Sequence, residues 1–430
     1  MEMTDYGTLK ERLYHEKMDN GLHVYLLKKE GFSKTYGLFA TCFGSVDTTF
    51  VPLGQKQMVK VPDGVAHFLE HKMFEMKDGD ASDRFSELGA ATNAFTSSAR
   101  TAYLFSTSSN ELACTKLLLD FVQEIYLTDE NVEKEKGIIG QEIKMYDDDP
   151  DWQNYFGAIA NLYHEHPVAV DIAGTVASVN ATTREDLLTC YHTFYHPSNM
   201  VLFVVGHIDP QEMMEMIRKN QAEKHFEKPA PIHRQKVNEP SSVKSRQTIQ
   251  KMDVFMPKLT MAIKVDDVPD DPLQKVKREM ACNLILDYLF SKSSEIYNQW
   301  VEKGWINDTF GGYFIQERDY ACLQFGGDTN EVEALKTALN ELVTRLPDMQ
   351  IPQNDFERLK RKTMGSMILS FNSPESIANL FIRYYFEGFS AFELIDALNS
   401  LEYSDISEAL KLFDIERSTI HLVLPKNENL

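Results

Sequence analysis

The chain has 430 residues, 43% apolar and 25% charged, the balance of a soluble globular protein with room for two or three domains and large cores. Its formal net charge of -21 argues against nucleic acid or an anionic membrane as partner, and reads as the charge of an acidic cytosolic enzyme before it reads as a taste for cationic peptides.

In chain order, alternation of apolar and polar residues predicts strands at Leu22 to Leu27 and Thr35 to Phe43. A helix around His67 to His71 follows, begun by Asp63-Gly64, then a helix at Ser82 to Leu88. A strand near Thr92 and its neighbour Tyr103 to Thr107 come next. Helices are expected at Glu111 to Ile125, Thr128 to Tyr146, Trp152 to Leu162 and Arg184 to Phe194, before a strand at Val201. Residues 221–247, rich in Lys, Pro and Ser and without periodicity, read as a linker between domains spanning 1–220 and 248–430. Beyond it come strands at Ser245 to Phe255 and Thr260 to Val265, and helices at Asp271 to Phe290 and Ser294 to Lys303. Strands near Tyr313 and Cys322, helices at Glu331 to Arg345, Asn354 to Phe371 and Glu375 to Glu387, and a closing strand at Thr419 to Leu424 complete the pattern. The expected class is α+β, each domain an antiparallel-rich sheet with helices mainly on one face.

Five scattered cysteines, Cys42, Cys114, Cys190, Cys282 and Cys322, contain no C-x-x-C and are odd in number, so reduced, mostly buried thiols in a cytoplasmic protein are expected. The start, Met1 to Tyr6, lacks the basic and apolar parts of a signal peptide, and the apolar run Met200 to Val205 is too short to span a bilayer.

The densest chemistry lies in His67-Phe68-Leu69-Glu70-His71. On a helix the two histidines and the glutamate between them leave one face together. Neutral imidazoles are good zinc ligands, and a neighbouring carboxylate can act as general base toward an attacking water. A catalytic zinc needs a third protein ligand. Glu135 and Glu142 are candidates, since seven residues are two helical turns and put both on one face. Other histidines carry less: His164 and His166 lack a nearby third ligand, His192 and His196 lack a glutamate at the right place, and Asp147 to Asp149 read as a solvated loop.

His-x-x-Glu-His followed by a Glu-x6-Glu helix resembles the pitrilysin/insulinase family of zinc peptidases, the inverted-motif zincins. Leu88 to Thr96 is similar to that family's Leu-Gly-Ala-x-x-Asn-Ala-x-Thr segment, and Tyr195 to Met200 to its Tyr-x-Pro-x-Asn-Met turn. The resemblance implies that His67, His71 and Glu142 bind Zn2+, that Glu70 is the base, and that Glu135 supports the site from behind. It implies a sheet-edge strand that takes an extended peptide, with Asn93 and Ala94 beside the scissile bond. It also implies a metal-free second domain of the same fold and pairing with a second copy or a related member into a clam-like shell. The run Gly140 to Trp152 resembles the bacterial two-domain member associated with 5-aminopentanol modification of elongation factor P; a related member works in bacteriocin maturation.

One departure stands out. The family's Leu-Arg-x-Lys-x-x-Leu-x-Tyr segment, whose Arg and Tyr hold substrate opposite the zinc, is here Gln299 to Asn307, without either residue; Arg318 and Tyr320 lie later and out of pattern. The readings are therefore a zinc metalloendopeptidase acting with a related partner, a zinc-binding but weakly active scaffold of a modification or processing pathway, or a non-catalytic assembly subunit. Intact motif residues count against the last.

Overall fold

The structure is a computed structural model and describes residues 1–427. Two compact units emerge, and each is built on one sheet.

The first unit holds a seven-stranded sheet. Its strands are β1 (Glu2–Tyr6), β2 (Glu11–Lys17), β3 (His23–Lys28), β4 (Thr35–Thr41), β5 (Ala90–Thr96), β6 (Thr101–Thr107) and β7 (Met200–Gly206), in the order β1-β2-β3-β7-β4-β6-β5. Only β3 and β7 run parallel; the other neighbours are antiparallel. The central β4 and β7 are buried along their whole length, which is why they read as near-continuous apolar runs. Asn199 fastens the entry to β7 by donating from Nδ2 to Thr41 Oγ1 (3.2 Å) and Phe194 O (2.9 Å). Four helices precede and follow the edge: α1 (Val65–Met73), α2 (Ala81–Glu87), α3 (Glu111–Val122) and α4 (Asp129–Asp147). They share one core with Val24, Leu26, Phe39, Tyr103, Phe105, Leu202 and Val204 of the sheet. The alternate residues point the other way. There the helix Pro374–Tyr385 lays Phe381 on Phe203 and Tyr25, with ring centroids 4.3 and 4.9 Å apart.

The second unit holds five strands, β8 (Gln247–Met252), β9 (Lys258–Val265), β10 (Gly311–Gln316), β11 (Ala321–Asp328) and β12 (Ser418–Pro425), ordered β8-β12-β9-β11-β10. β8 and β12 are parallel. First strand beside last, then second, fourth and third, is also the order of β3-β7-β4-β6-β5, so the two sheets repeat one topology without a residue-level repeat. One face packs on the long helix Pro272–Phe290. The other, lined by Thr248, Thr260 and His421, is covered by α5 (Pro150–Leu162), whose Asn154 and Asn161 donate to Thr260 Oγ1 and Thr248 Oγ1 at 2.7 Å each.

Two expectations need correction. The division into 1–220 and 248–430 is too simple: the first unit comprises Met1–Ile143, Asp171–Lys236 and Ile368–Phe386, and the second Lys144–Val170, Val237–Met367 and the remainder. The cause is that each sheet exposes an apolar or hydrogen-bonding second face, and the helix that covers it comes from the far part of the sequence. Most helices still share one face of each sheet, and a single helix lies on the other, Pro374–Tyr385 in the first unit and α5 in the second. The stretch 221–247 is not a free spacer. Arg234 pairs with Asp47 (2.6 Å), and the Glu239 carboxylate accepts from the N–H groups of His164, Glu165 and His166 at 2.8 Å each. Its first residues end a helix, Pro210–Ala222, which Asp209 caps by accepting from Gln211 N (2.9 Å) and Glu212 N (3.0 Å).

Among the described residues no helix is long and apolar enough to cross a membrane. Cys42 is partly exposed, and the other four cysteines are buried and free.

Candidate metal centre

α1 begins at Gly64, which takes a left-handed φ of 87° and leaves the helix without a side-chain cap; Asp63 does not cap it. A Cβ on Gly64 would meet Ala173 O at 2.3 Å, so the close passage of that loop also demands glycine. Val65, Ala66, Phe68, Leu69 and Met73 are buried in the core, which fixes the rotation of the helix. His67 and His71, one turn apart, then project together, their rings 4.6 Å apart.

α4 opens with a reciprocal turn: Thr128 Oγ1 accepts from Asn131 N (3.1 Å) and Asn131 Oδ1 accepts from Thr128 N (2.9 Å). Asn131, Val132, Ile139 and Ile143 form its buried stripe. Glu135 and Glu142 lie along that stripe and so reach α1. Glu142 Oε1 is 3.7 Å from His67 Nε2, and its Oε2 is 3.3 Å from His71 Nε2. Glu135 Oε1 is 3.1 Å from His71 Nδ1. Among the described residues, His67, His71 and Glu142 form the one group of three or more His, Cys, Asp or Glu whose donor atoms all lie within 4.8 Å of one another.

These residues fit a zinc ion by their chemistry. Two imidazole nitrogens and one carboxylate converge, the donor set of a three-ligand catalytic site. The remaining nitrogen of His71 meets a carboxylate, the arrangement that orients a liganding histidine. The two imidazoles differ in their electrostatics. Burial and the neighbouring His71 push the His67 imidazole down to about 4. Burial also lowers His71, but the hydrogen bonds it donates to the Glu135 and Glu142 carboxylates outweigh that and raise it to about 9. His67 Nδ1 is buried with no hydrogen-bond partner.

Glu70, adjacent to His71 in sequence, is partly buried, and burial raises its pKa, while the hydroxyl of Thr96, donating to Glu70 Oε2, opposes that rise. Thr96 ends β5, the edge strand of the sheet. Asn93 and Ala94 face Leu104 and Tyr103 of β6 on one side and, among the described residues, have no strand on the other. Asn93 is exposed, and its Oδ1 accepts from Ala94 N (2.9 Å).

Thr96 and Lys72, to which the sequence assigned no role, both touch acids of this site; a single hydroxyl or ammonium carries no periodic signal of its own. Gln299 to Asn307 form the end of the helix Glu295–Glu302 and the turn after it, with Trp300 and Ile306 buried. Tyr320 is buried against Tyr163 and His166. His166 Nδ1 accepts from Val168 N (3.1 Å), and His196 is bonded to Ser198 and Glu227 O, so both have local structural work.

Residues 50–176 match the family model described as "Insulinase (Peptidase family M16)", and residues 181–363 match "Peptidase M16 inactive domain". An uncharacterized zinc protease, YmfH, of Bacillus subtilis is 46% identical over 98% of this chain and 99% of the relative. The zinc protease PqqE of Helicobacter pylori is 24% identical over 77% of this chain and 76% of its own. Among solved structures, an M16-like peptidase from Alicyclobacillus acidocaldarius superposes with a TM-score of 0.92 at 35% identity, covering 96% of this chain and 98% of that one. A protease of Helicobacter pylori gives 0.84 at 21% identity, over 96% and 100% of the two chains. The chain belongs to the M16, insulinase-like peptidase family.

Proposed function

We propose that this chain is a zinc-dependent endopeptidase that hydrolyses extended peptides, with His67, His71 and Glu142 as metal ligands and Glu70 as general base. The observation that carries this reading is the convergence of two imidazole nitrogens and the Glu142 carboxylate beside Glu70. Zinc, when bound, supplies Lewis acidity that lowers the pKa of water and polarises a carbonyl. Glu70 takes the proton of the attacking water and returns it to the leaving amine; its raised pKa suits both halves of that transfer. Thr96 keeps the accepting carboxylate pointed the same way throughout. Glu135 holds His71 from its other nitrogen. The substrate adds as a strand to β5, displacing Asn93 Oδ1 from the Ala94 amide, so main-chain hydrogen bonds give affinity with little sequence preference.

The clamp that the second unit lacks comes, on this reading, from a related family member paired with this chain in the cytoplasm. A scaffold that keeps zinc but turns over little is the second reading, favoured by the absence of Arg and Tyr from Gln299 to Asn307.

The test is zinc content and cleavage of an unstructured peptide by the wild type and Glu70→Gln, each alone and mixed with the related member. One zinc per chain in both, with cleavage by the wild type alone, supports the endopeptidase. Zinc without cleavage in every combination supports the scaffold.

A further inference from the structure

Lys72 is 1% exposed and, with Lys264, is one of two lysines among the largest fully buried side chains. A buried ammonium needs acids around it. Lys72 has two: Nζ is ion-paired to Glu75 Oε2 and lies 3.5 Å from Glu135 Oε2. Glu75 Oε1 in turn accepts from Asn131 Nδ2 (3.2 Å), in the first turn of α4. A continuous polar chain therefore runs from Asn131 through Glu75, Lys72 and Glu135 to His71.

The geometry gives each Glu135 oxygen one task. Oε2 faces Lys72 and Oε1 faces His71 Nδ1. The ammonium thus fixes the rotation of the carboxylate that orients His71. The same chain joins α1 to α4 at a second place, behind the histidines. The proposed ligands are divided between these two helices, His67 and His71 on α1 and Glu142 on α4. The spacing of their donors depends on how firmly one helix is tied to the other, and metal sites tolerate little looseness.

We propose that Lys72 is a positioning residue of the metal centre, holding Glu135 against His71 and tying α1 to α4 so that the three ligands keep the spacing a metal requires. This deepens the zinc reading above and rests on it.

The test uses the full chain. Zinc affinity is measured by competition with a chromophoric chelator for the wild type, Lys72→Met, Lys72→Arg, Glu75→Gln and Lys264→Met. The visible spectrum of each cobalt(II)-loaded protein reports ligand geometry, and thermal unfolding of the metal-free proteins reports stability. Lys264 is equally buried and paired with Glu239 in the second unit, so its loss controls for the removal of a buried charge. The expected result is zinc binding weakened about 10- to 100-fold in Lys72→Met with altered cobalt bands. Partial recovery is expected in Lys72→Arg, and wild-type zinc affinity in Lys264→Met despite lower stability. Wild-type affinity and cobalt bands in Lys72→Met would overturn the proposal. If Lys72→Met does not fold, Glu75→Gln decides, because Glu75 is 40% exposed and its change is mild; unchanged zinc affinity there overturns it too. A wild type that takes up no zinc overturns the zinc reading itself, and is seen before any variant is made.

Discussion

Thr96, the last residue of β5, donates its hydroxyl to Glu70 on α1, so the candidate base is fastened to the strand on which a substrate would lie. Thr96→Val keeps the shape and removes the donor. Loss of a hydrogen bond to a charged group costs about 1.5–3 kcal/mol, so kcat is expected to fall roughly 10- to 100-fold. Zinc content should not change. Single-turnover cleavage beside metal analysis checks both, and unaltered turnover would remove Thr96 from the machinery.

Zinc should stabilise the folded chain by mass action. At 100 times its dissociation constant a ligand adds about 2.7 kcal/mol, which for a unit of this size raises the midpoint of thermal unfolding by roughly 5–10 °C. Glu142→Ala removes one of the three proposed donors and should abolish most of the rise, as should a chelator. A shift of wild-type size in Glu142→Ala would show that the glutamate is not a ligand.

Gly64→Ala should be severe for a single methyl. The φ of 87° is unfavourable for alanine and the new Cβ would meet Ala173 O at 2.3 Å. We expect a loss of about 2–4 kcal/mol in urea unfolding, with weaker zinc binding because the first turn of α1 shifts. Stability unchanged within error would contradict the close passage of the Ala173 loop.

His421 on β12 gives a pH dependence in the second unit. It is 4% exposed, its Nδ1 lies 2.7 Å from Thr248 Oγ1 and its Nε2 has no partner. Burial lowers its pKa from 6.5 to about 4. Above pH 6.5 the ring is neutral whether folded or unfolded and contributes no slope. Between 6.5 and about 4 the unfolded chain binds a proton that the folded one refuses, so stability falls with falling pH, by about 3 kcal/mol across the window. Urea unfolding from pH 7 to pH 4, wild type against His421→Leu, isolates the ring. Parallel curves for the two proteins would refute its part.

Much of this was legible in the sequence because it rests on period and spacing. His67, Glu70 and His71 are one helical turn, Glu135 and Glu142 are two, and the structure brings Glu142 to both histidines and Glu135 to His71. The edge position of β5 agrees with the strand expected near Thr92. The parallel pairing of β3 with β7 was not legible, since alternation marks a strand but not its neighbour. β1 was missed because its residues are almost all exposed and show no alternation. The helix Pro210–Ala222 had its signal in Asp209-Pro210, but its last residues run into a polar stretch without periodicity. The placement of Lys72 beside Glu135 depends on the end of α1 meeting α4, which no local pattern encodes.

The route of the chain sets a timetable for its synthesis. The sheet of the first unit is complete once β7, ending at Gly206, has left the ribosome, but the helix that covers Tyr25 and Phe203 begins only at Pro374. At bacterial or slower elongation rates the interval is roughly 10–40 s. For that time the nascent protein carries a bare aromatic surface, and a binder that shields it, such as a general chaperone, has a defined window in which to act.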